Sequence, residues 1–576
     1  MSFTIGINVG HDASIAVIDS EKNKSENTIV YESERYSKLK NQYHYPFHVL
    51  KDFIHENPGL LQTDKTNIAV NSYAEGARYK EEHYLKIQNY LHILESYGAQ
   101  NLSILKNDSM EEISHHLAHA YCALAFSPYE KSIILIADGI GSNGDIYNKV
   151  TNDDVKNEHL DKSKKVYESI SVFLQDGQNL RQVKKKWGKY CPIVKPDIFL
   201  NQGLGSFYGA VANYIFGSWT DSGKVMGLSA YGKPSKLEDD YYSFLHNEFM
   251  KPQNIYKGMD AFNNQPPEHF ERSADLARSI QDYFELTVMD LVLDIKTKYP
   301  EYKNIILMGG CALNCLTVSR IVKDKIFDNV FIPPCPNDEG ISLGTAYYKA
   351  IKNGFVHFSP TQIEEINPYL GSRRPVSDLK NEKKINQLFG QYKIEKIRNP
   401  SMKAAELICE GEIIAWFQGR SECGPRALGN RSILSLPGIP GRKKELNDNI
   451  KFRESFRPYG CSVVLEDAHK YFDCPANYHM PYMSFAPKVR SNCTELLTEV
   501  THIDQTCRIQ TVTRKQNEKY YDLLTEVKKI QGHGLLLNTS LNVMGKPILE
   551  TIQDAADFMK ETKIKYMILG DFLISK

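Results

Sequence analysis

Charge of one sign is missing from this chain. Its 576 residues hold 70 Lys and Arg against 70 Asp and Glu, so the molecule as a whole offers no electrostatic footprint for nucleic acid or an anionic membrane. Long apolar runs are missing too. No stretch reaches the roughly 18 residues of a spanning helix, so a helical membrane protein is not expected. The opening Met1-Ser2-Phe3-Thr4-Ile5-Gly6-Ile7-Asn8-Val9 lacks a basic start and a cleavage site and soon meets His11-Asp12, so no signal peptide is expected. Cysteine is sparse and odd in number, 11 over the chain. That pattern reads as reduced thiols in a cytoplasmic protein, not as a disulfide framework. Cys311 and Cys315 are four apart, but no second pair completes a zinc site. There is no internal repeat and no low-complexity tract. The one basic run, Arg181 to Lys189 with Lys184-Lys185-Lys186, reads as solvated surface.

What is present fits a soluble globular chain of two or more domains: 41% hydrophobic and 24% charged residues over 576 positions. A β-like segment from Thr4 to Ile18 is interrupted by Gly10-His11-Asp12-Ala13-Ser14, and a second ends at Tyr31-Glu32-Ser33-Glu34-Arg35. Two apolar strands end in an acid or in glycine: Lys131 to Asp138-Gly139, and Asn304 to Gly309-Gly310. Such strand ends, interleaved with helical segments, predict an α/β fold whose site lies at the strand ends. The stretch from Asn353 to Glu382 is rich in Pro, Gly and polar residues and marks a linker.

His115 and His119 fall four apart in Glu111-Glu112-Ile113-Ser114-His115-His116-Leu117-Ala118-His119. On a helix this spacing puts both imidazoles on one face, as a metal pair requires, and turns His116 about 100° away. Two histidines are too few for a site. The strand-end Asp138 and the loop acid Asp338, in Pro334-Cys335-Pro336-Asn337-Asp338-Glu339-Gly340, are available to complete it. Imidazole with carboxylate suits iron, manganese or zinc alike.

A second chemistry is carried by Gly419-Arg420-Ser421-Glu422-Cys423-Gly424-Pro425-Arg426-Ala427-Leu428-Gly429-Asn430-Arg431-Ser432, followed by Lys451-Phe452-Arg453-Glu454-Ser455-Phe456-Arg457-Pro458. Arginine offers a planar fork matched to phosphate and carboxylate oxygens. Glycine lets backbone amides approach such a ligand. Together the two runs predict a pocket for a small, highly anionic compound.

The first run resembles the signature of the carbamoyltransferase family, enzymes that place a carbamoyl group on a hydroxyl of antibiotics, nodulation factors and similar acceptors. Further matches follow in family order over nearly the whole chain. The resemblance implies an actin-like ATPase fold (ribonuclease H-like, duplicated) over 1–352, a linker over 353–379 and an α/β YrdC-like domain over 380–576. It implies that His115, His119, Asp138 and Asp338 hold a divalent iron used to position oxygens, and that Gly10-His11-Asp12-Ala13-Ser14 is the family's first turn. In that turn His11 acts as general base, oriented by Asp12. Lys40 matches a family lysine near the transferred group. The glycine-bearing segments around Gly205, Lys224 and Met308-Gly309-Gly310-Cys311-Ala312-Leu313-Asn314 match nucleotide-binding elements, with Gly309, Gly310 and Asn314 approaching the adenosine. The family's next Asn is absent from Cys315-Leu316-Thr317-Val318-Ser319.

In the C-terminal half the resemblance implies that carbamoyl phosphate and ATP, with Mg2+, are bound by Arg420, Arg426, Arg431, Lys451, Arg453, Arg457, His502 and Arg508. It adds Asn538, Thr539, Ser540 and Asn542 of Leu537-Asn538-Thr539-Ser540-Leu541-Asn542, whose amides and hydroxyls suit a carbamoyl group. Two departures stand out: Gln505 where the family has Gly, and Cys423 where an aromatic precedes Gly-Pro-Arg. The implied activity is ATP-dependent O-carbamoyl transfer through carbamoyladenylate to a small-molecule acceptor, in the cytoplasm, with no membrane or nucleic-acid partner. A mixed anhydride decomposes in water, so both sites should face one enclosed space. The rivals are a threonylcarbamoyladenylate-type enzyme acting on tRNA, an actin-fold kinase of a sugar or acid, and an ATP-switched chaperone or filament protein. Acceptor and oligomeric state are not legible.

Overall fold

In a computed structural model the chain is an α/β protein. The structure describes residues 3–20, 27–41, 46–57, 66–72, 111–142, 166–195, 198–201, 203–233 and 267–576. Strands β1 (Phe3–Val9), β2 (Ser14–Asp19) and β3 (Thr28–Glu32) run antiparallel, and β1 then pairs in parallel with β4 (Thr66–Ser72), which pairs with β5 (Glu111–Glu112). The order is β3-β2-β1-β4-β5. A second sheet repeats this plan. Strand β6 (Lys131–Ala137), β7 (Val166–Asp176) and β8 (Asn179–Lys195) run antiparallel, while β10 (Asn304–Met308) lies parallel to β6 and β11 (Asn329–Phe331) parallel to β10. The short β9 (Ile198–Asn201) extends its far edge, giving β11-β10-β6-β7-β8-β9. Two sheets of one order are the duplicated ribonuclease H-like arrangement, and the two acid-ended strands, β1 with its His11-Asp12 turn and β6 with Asp138, hold equivalent places in them.

The strands at the centre of each sheet are near-continuous apolar runs because helices cover them. The helix His115–Phe126 packs against the helix Ile341–Lys352. Gly344 permits this contact: a Cβ there would meet the Ala118 carbonyl at 1.9 Å, so only glycine lets the two backbones touch.

Residues 393–575 form an eight-stranded mixed sheet, ordered β12-β19-β18-β13-β14-β17-β15-β16. Its members used below are β13 (Ile414–Phe417), β14 (Arg431–Ser435) and β17 (Leu535–Ser540). The run expected as a linker is packed: Val30 of β3 donates to the Leu370 carbonyl at 2.8 Å, and Ile366 and Leu370 are buried with Ala16, Ile18 and Cys423 in one apolar cluster. The larger core cluster likewise runs from Ile133 through Phe456 to Ile574, so the two halves share buried surface.

The basic run corrects its reading as wet surface. Strand alternation turns Lys185 inward, where its ammonium pairs with Glu168, both side chains almost fully buried. Lys184 instead pairs with Asp294 at 2.7 Å on the half-exposed face. The ten cysteines whose side chains the structure describes are free thiols. Among the described residues no helix is long and apolar enough to cross a membrane.

Candidate metal centre and anion pocket

The helix His115–Phe126 starts at Ser114, whose hydroxyl accepts from the Leu117 amide at 3.2 Å. This cap fixes the first turn and with it the two imidazoles. His115 Nε2 lies 3.0 Å from Asp138 Oδ2 and 3.3 Å from Asp338 Oδ1; for His119 Nε2 the distances are 3.2 and 3.5 Å. One ligand atom from each of the four residues lies within 4.8 Å of the others. Asp138 is aimed by backbone amides: its Oδ1 accepts from Gly139 at 2.7 Å and Gly310 at 3.2 Å, leaving Oδ2 to the histidines. Gly309 makes this turn possible. It has φ +84, and a Cβ there would meet the Ala137 carbonyl at 2.1 Å. Asp338 is tied to the His11 turn by the Asn8 amide, which donates to the His11, Asp12 and Asp338 carbonyls at 3.0, 3.1 and 3.4 Å.

Electrostatics fit a cation among these four. Burial opposes charge on His115, yet Asp338 and Asp138 outweigh it and push its pKa up to about 10. Both carboxyls are held below the usual range by the histidines despite burial. One buried and one part-buried acid facing two buried imidazoles are the donor set of a transition-metal site. His116 turns away, its Nδ1 2.8 Å from Ser171 Oγ, and burial drives its pKa down to about 3, keeping it neutral.

His11 stands beside this group. Its Nδ1 is 2.8 Å from Asp12 Oδ2 and 3.7 Å from Asp338 Oδ2, while Nε2 has no hydrogen-bond partner among the described residues. Burial opposes its protonation, but Asp12 and Asp338 push its pKa up to about 11. A bound cation that takes up the Asp338 charge removes part of that bias. The exposed Trp219 ring leans on His11 at 4.7 Å between centroids.

The other nucleotide candidates divide. Gly205 abuts the Asp138–Gly139 peptide, at 2.7 Å from a Cβ. Lys224 is a correction: its ammonium pairs with Glu454 at 2.8 Å and Asp221 at 3.0 Å, so its charge is spent within the protein. Asn314 is held on two sides: its carbonyl oxygen caps the helix Cys315–Lys323 at Thr317 N, 3.2 Å, and one amide hydrogen goes to Gln281 at 2.9 Å, which leaves its second amide hydrogen outside these bonds. The absence of the family's next Asn is filled by apolar packing, since Val318 is buried.

In the C-terminal half the arginines of the opening run part company. Arg431 bonds to the carbonyls of Leu549, Gln418, Asn430, Gly419 and Glu550 and stacks on Phe417 at 3.5 Å. A guanidinium has five N–H donors, so none remains for a ligand. Arg420 donates to the carbonyls of Gly371, Thr28 and Leu370, each at 2.7 Å, and sews β3 to the C-terminal half. Both were expected to bind anions; Arg431 is corrected to a framework residue, while Arg420 keeps its Nη1 donors outside these three bonds.

Arg426, Arg453 and Arg508 behave differently. Each has a buried Nε with no hydrogen-bond partner. Burial, and then like charge, depresses them: Arg508 falls to about 9 beside Arg426 and Arg457, and Arg453 to about 10 beside Arg457 and Arg508. Arg426 is lowered by burial, with Arg457 adding to it. Lys451 is pushed well below its usual value by burial and by the charges of Arg453, Arg457 and, from the N-terminal half, Lys40. The Asn-Thr-Ser-Leu-Asn loop is brought to this cluster as well. Lys451 Nζ donates to the Ser540 and Asn542 carbonyls at 2.7 and 2.8 Å, Thr539 pairs in register with Ile433 on β14, and Asn538 turns its amide to Ser462 Oγ at 3.0 Å while its oxygen stays buried and unpartnered. Arg457 keeps a weak pair with Glu454 at 3.4 Å. His502 Nε2 lies 3.2 Å from the Phe456 carbonyl, beside the cluster instead of in it.

Residues 4–347 match the model described as Carbamoyltransferase N-terminus, and 405–576 the Carbamoyltransferase C-terminus. The chain belongs to the carbamoyltransferase family. It is 31% identical over 477 residues to nodulation protein NolNO of Sinorhizobium fredii, covering 81% of this chain and 64% of that one. It is 29% identical over 357 residues to the 3'-hydroxymethylcephem-O-carbamoyltransferase of Streptomyces clavuligerus, covering 61% of this chain and 64% of that one. Among solved structures, full-length HypF in its phosphate- and nucleotide-bound form gives a TM-score of 0.37 at 14% identity, over 62% of this chain and 56% of that one.

The family's glycine at position 505 is a glutamine here that keeps the turn. Gln505 has φ +67 and still donates to the His502 carbonyl at 3.0 Å. Left-handed backbone strains a residue with a Cβ, while glycine loses more chain entropy, so Gln505→Gly is expected to stabilise the fold by roughly 0.5–1 kcal/mol. A urea midpoint that does not rise would refute this. Cys423 fills the aromatic's place as a buried thiol among Cys335, Cys122 and Leu428.

Residues that the motifs did not mark also build the site: Glu168 and Lys185 behind the histidine helix, and Trp219 on its rim. Only inward alternation along β7 and β8 could have pointed to the first two.

Proposed function

We propose that this chain is a cytoplasmic, ATP-dependent O-carbamoyltransferase acting on a hydroxyl of a small molecule such as an antibiotic, a sugar or another secondary metabolite. The observation that carries it is the cluster of Arg426, Lys451, Arg453, Arg457 and Arg508, buried or half-buried, mutually repelling, and with guanidinium nitrogens left unpartnered. Cations gathered at that cost make sense opposite a polyanion, and ATP with carbamoyl phosphate is the polyanion the family implies. In this reading carbamoyl phosphate loses its phosphate to water. The freed carbamate oxygen then attacks the α-phosphorus of ATP, and pyrophosphate leaves. Arg426, Arg453 and Arg508 hold the phosphates in line, and the Asn538 amide group holds the carbamoyl end.

The carbamoyl carbon is then attacked by the acceptor oxygen, AMP leaves, and the hydroxyl proton passes to His11 Nε2, which accepts it only in the neutral ring that Asp12 and Asp338 disfavour, with Asp12 holding Nδ1. His115, His119, Asp138 and Asp338 would hold an iron whose chemistry is Lewis-acid polarisation of a phosphate or carbonyl oxygen. Lys40, one of the cations whose charge depresses Lys451, would serve the transferred group where the two steps meet. A tRNA-directed enzyme is disfavoured by the balanced charge, and a kinase leaves the C-terminal cations without a task.

The test uses metal-loaded protein, ATP and carbamoyl phosphate without acceptor, with pyrophosphate and carbamoyladenylate read by mass spectrometry. Both should form, and both should persist in His119→Ala, because activation belongs to the other half. Folded, metal-loaded protein that releases no pyrophosphate would sink the proposal.

A further inference from the structure

Among the described residues a second tight group of ligand-type side chains lies outside the histidine site: Glu32 at the end of β3, Glu34 just after it, and Glu339 in the turn before the helix Ile341–Lys352. All three residues are more than nine-tenths buried, and one carboxylate oxygen of each lies within 4.8 Å of the other two. Their compensation is incomplete. Glu32 accepts from the Gly424 amide at 3.0 Å and pairs with Arg35 Nε at 2.7 Å. Arg35 is also drawn to Glu550 at 3.5 Å and to the Gly424 carbonyl at 3.1 Å. Glu34 accepts from the Asn41 amide at 2.7 Å. Glu339 Oε2 is buried with no hydrogen-bond partner.

A second observation comes from outside the trio. Asp12, 5% exposed, also carries a buried carboxylate oxygen without a partner, and the His11 ring it pairs with at 2.8 Å lies 3.7 Å from Asp338, the neighbour of Glu339 in the chain. Glu32 thus shares the buried Arg35 guanidinium with the buried Glu550, and the His11 imidazole takes the other oxygen of Asp12. Buried charge of this kind is paired, neutralised by protons or taken up by a metal.

We propose that Glu32, Glu34 and Glu339 hold a second divalent cation, of the hard class of Mg2+ or Mn2+. The donors are all oxygen, which suits Mg2+, Mn2+ or Ca2+, whereas the imidazole-bearing group suits iron or zinc. The two sites are built as a pair from one turn, since the consecutive Asp338 and Glu339 serve one each. The second is bounded by the Gly424 amide on Glu32, where the two halves meet. A cation there is placed to share phosphate oxygens with the basic cluster; that role rests on the carbamoyl-transfer reading, but the existence of the site does not.

Equilibrium dialysis of the full chain with Mn2+ alone tests it without any substrate. Wild type should bind two Mn2+, His119→Ala one and Glu339→Gln one. Excess Mg2+ should displace the ion left in His119→Ala and spare the one left in Glu339→Gln. Thermal melts report whether each variant folds, and Glu34→Gln serves if Glu339→Gln does not. One Mn2+ in wild type, lost in His119→Ala, would overturn the proposal and leave the trio holding protons. Two Mn2+ retained in both glutamine variants would overturn it equally.

Discussion

Arg426→Ala is expected to lower acceptor-free carbamoyladenylate formation about 100- to 1,000-fold, the usual cost of removing one preorganised donor from a developing charge, while leaving the protein as stable as before or more so. The two halves of this expectation come from one cause. Arg426 has no protein partner for its Nε, and burial, with Arg457 near it, presses its pKa down. No hydrogen bond among the described residues depends on its Nε, and removing it relieves Arg508, whose own depression owes more to Arg426 than to any other cation. Groups gathered against their mutual repulsion are commonly kept for function at some expense of stability. Arg431→Lys is the contrasting variant. It breaks a fork that satisfies five carbonyls, and each buried acceptor left bare costs about 1–3 kcal/mol, so this conservative change should destabilise strongly. Thermal melts and mass-spectrometric adenylate yields on both variants decide it. Should Arg426→Ala melt early and retain its yield, the anion pocket is misplaced.

These two arginines show what sequence can and cannot carry. The run from Gly419 to Ser432 marks an arginine-rich turn correctly, but it does not say which guanidinium faces a ligand and which faces carbonyls. Backbone carbonyls have no side-chain signature, and those bonded to Arg431 come from residues as distant as Leu549. The partners of Lys224 and Asn314 were out of sight for the same reason: Glu454 and Gln281 lie 230 and 33 residues away along the chain. The histidine group was legible because the helix period alone aligns His115 with His119, and strand ends are where α/β folds place acids. The duplication of the two sheets left no repeat in the sequence, since backbone topology can persist in side chains that share only burial. Glu32, Glu34 and Glu339 were invisible as a group: a strand end and a turn more than 300 residues on meet only in the folded chain.

Lys185→Met is expected to destabilise the protein by about 3–5 kcal/mol at neutral pH, the range for breaking a buried ion pair from one side. Glu168 is wholly buried and would be raised by that burial, yet Lys185 and His116 bring its pKa down to about 2. A depressed carboxyl contributes stability above its ordinary value and loses it as pH falls toward the folded one. In the variant the partner is gone, burial prevails and the carboxyl is raised instead. Protonation then relieves the fold, so the gap between variant and wild type should narrow on acidification. Glu168→Gln added to Lys185→Met should recover part of the loss, since no charge remains to be left bare. The effect should reach the metal centre as well. Glu168 Oε2 accepts from the His116 and Ser142 amides, both at 3.1 Å, and Ser142 Oγ accepts from the His115 amide at 2.9 Å. These bonds set the start of the helix that carries both imidazoles, and loss of such supporting contacts typically lowers metal affinity 10- to 100-fold. Urea midpoints at two pH values and Mn2+ binding to the folded variant measure the two effects. A loss below about 1 kcal/mol, in the range of an exposed pair, would mean that Glu168 is reached by water and that the pair is not what orients the helix.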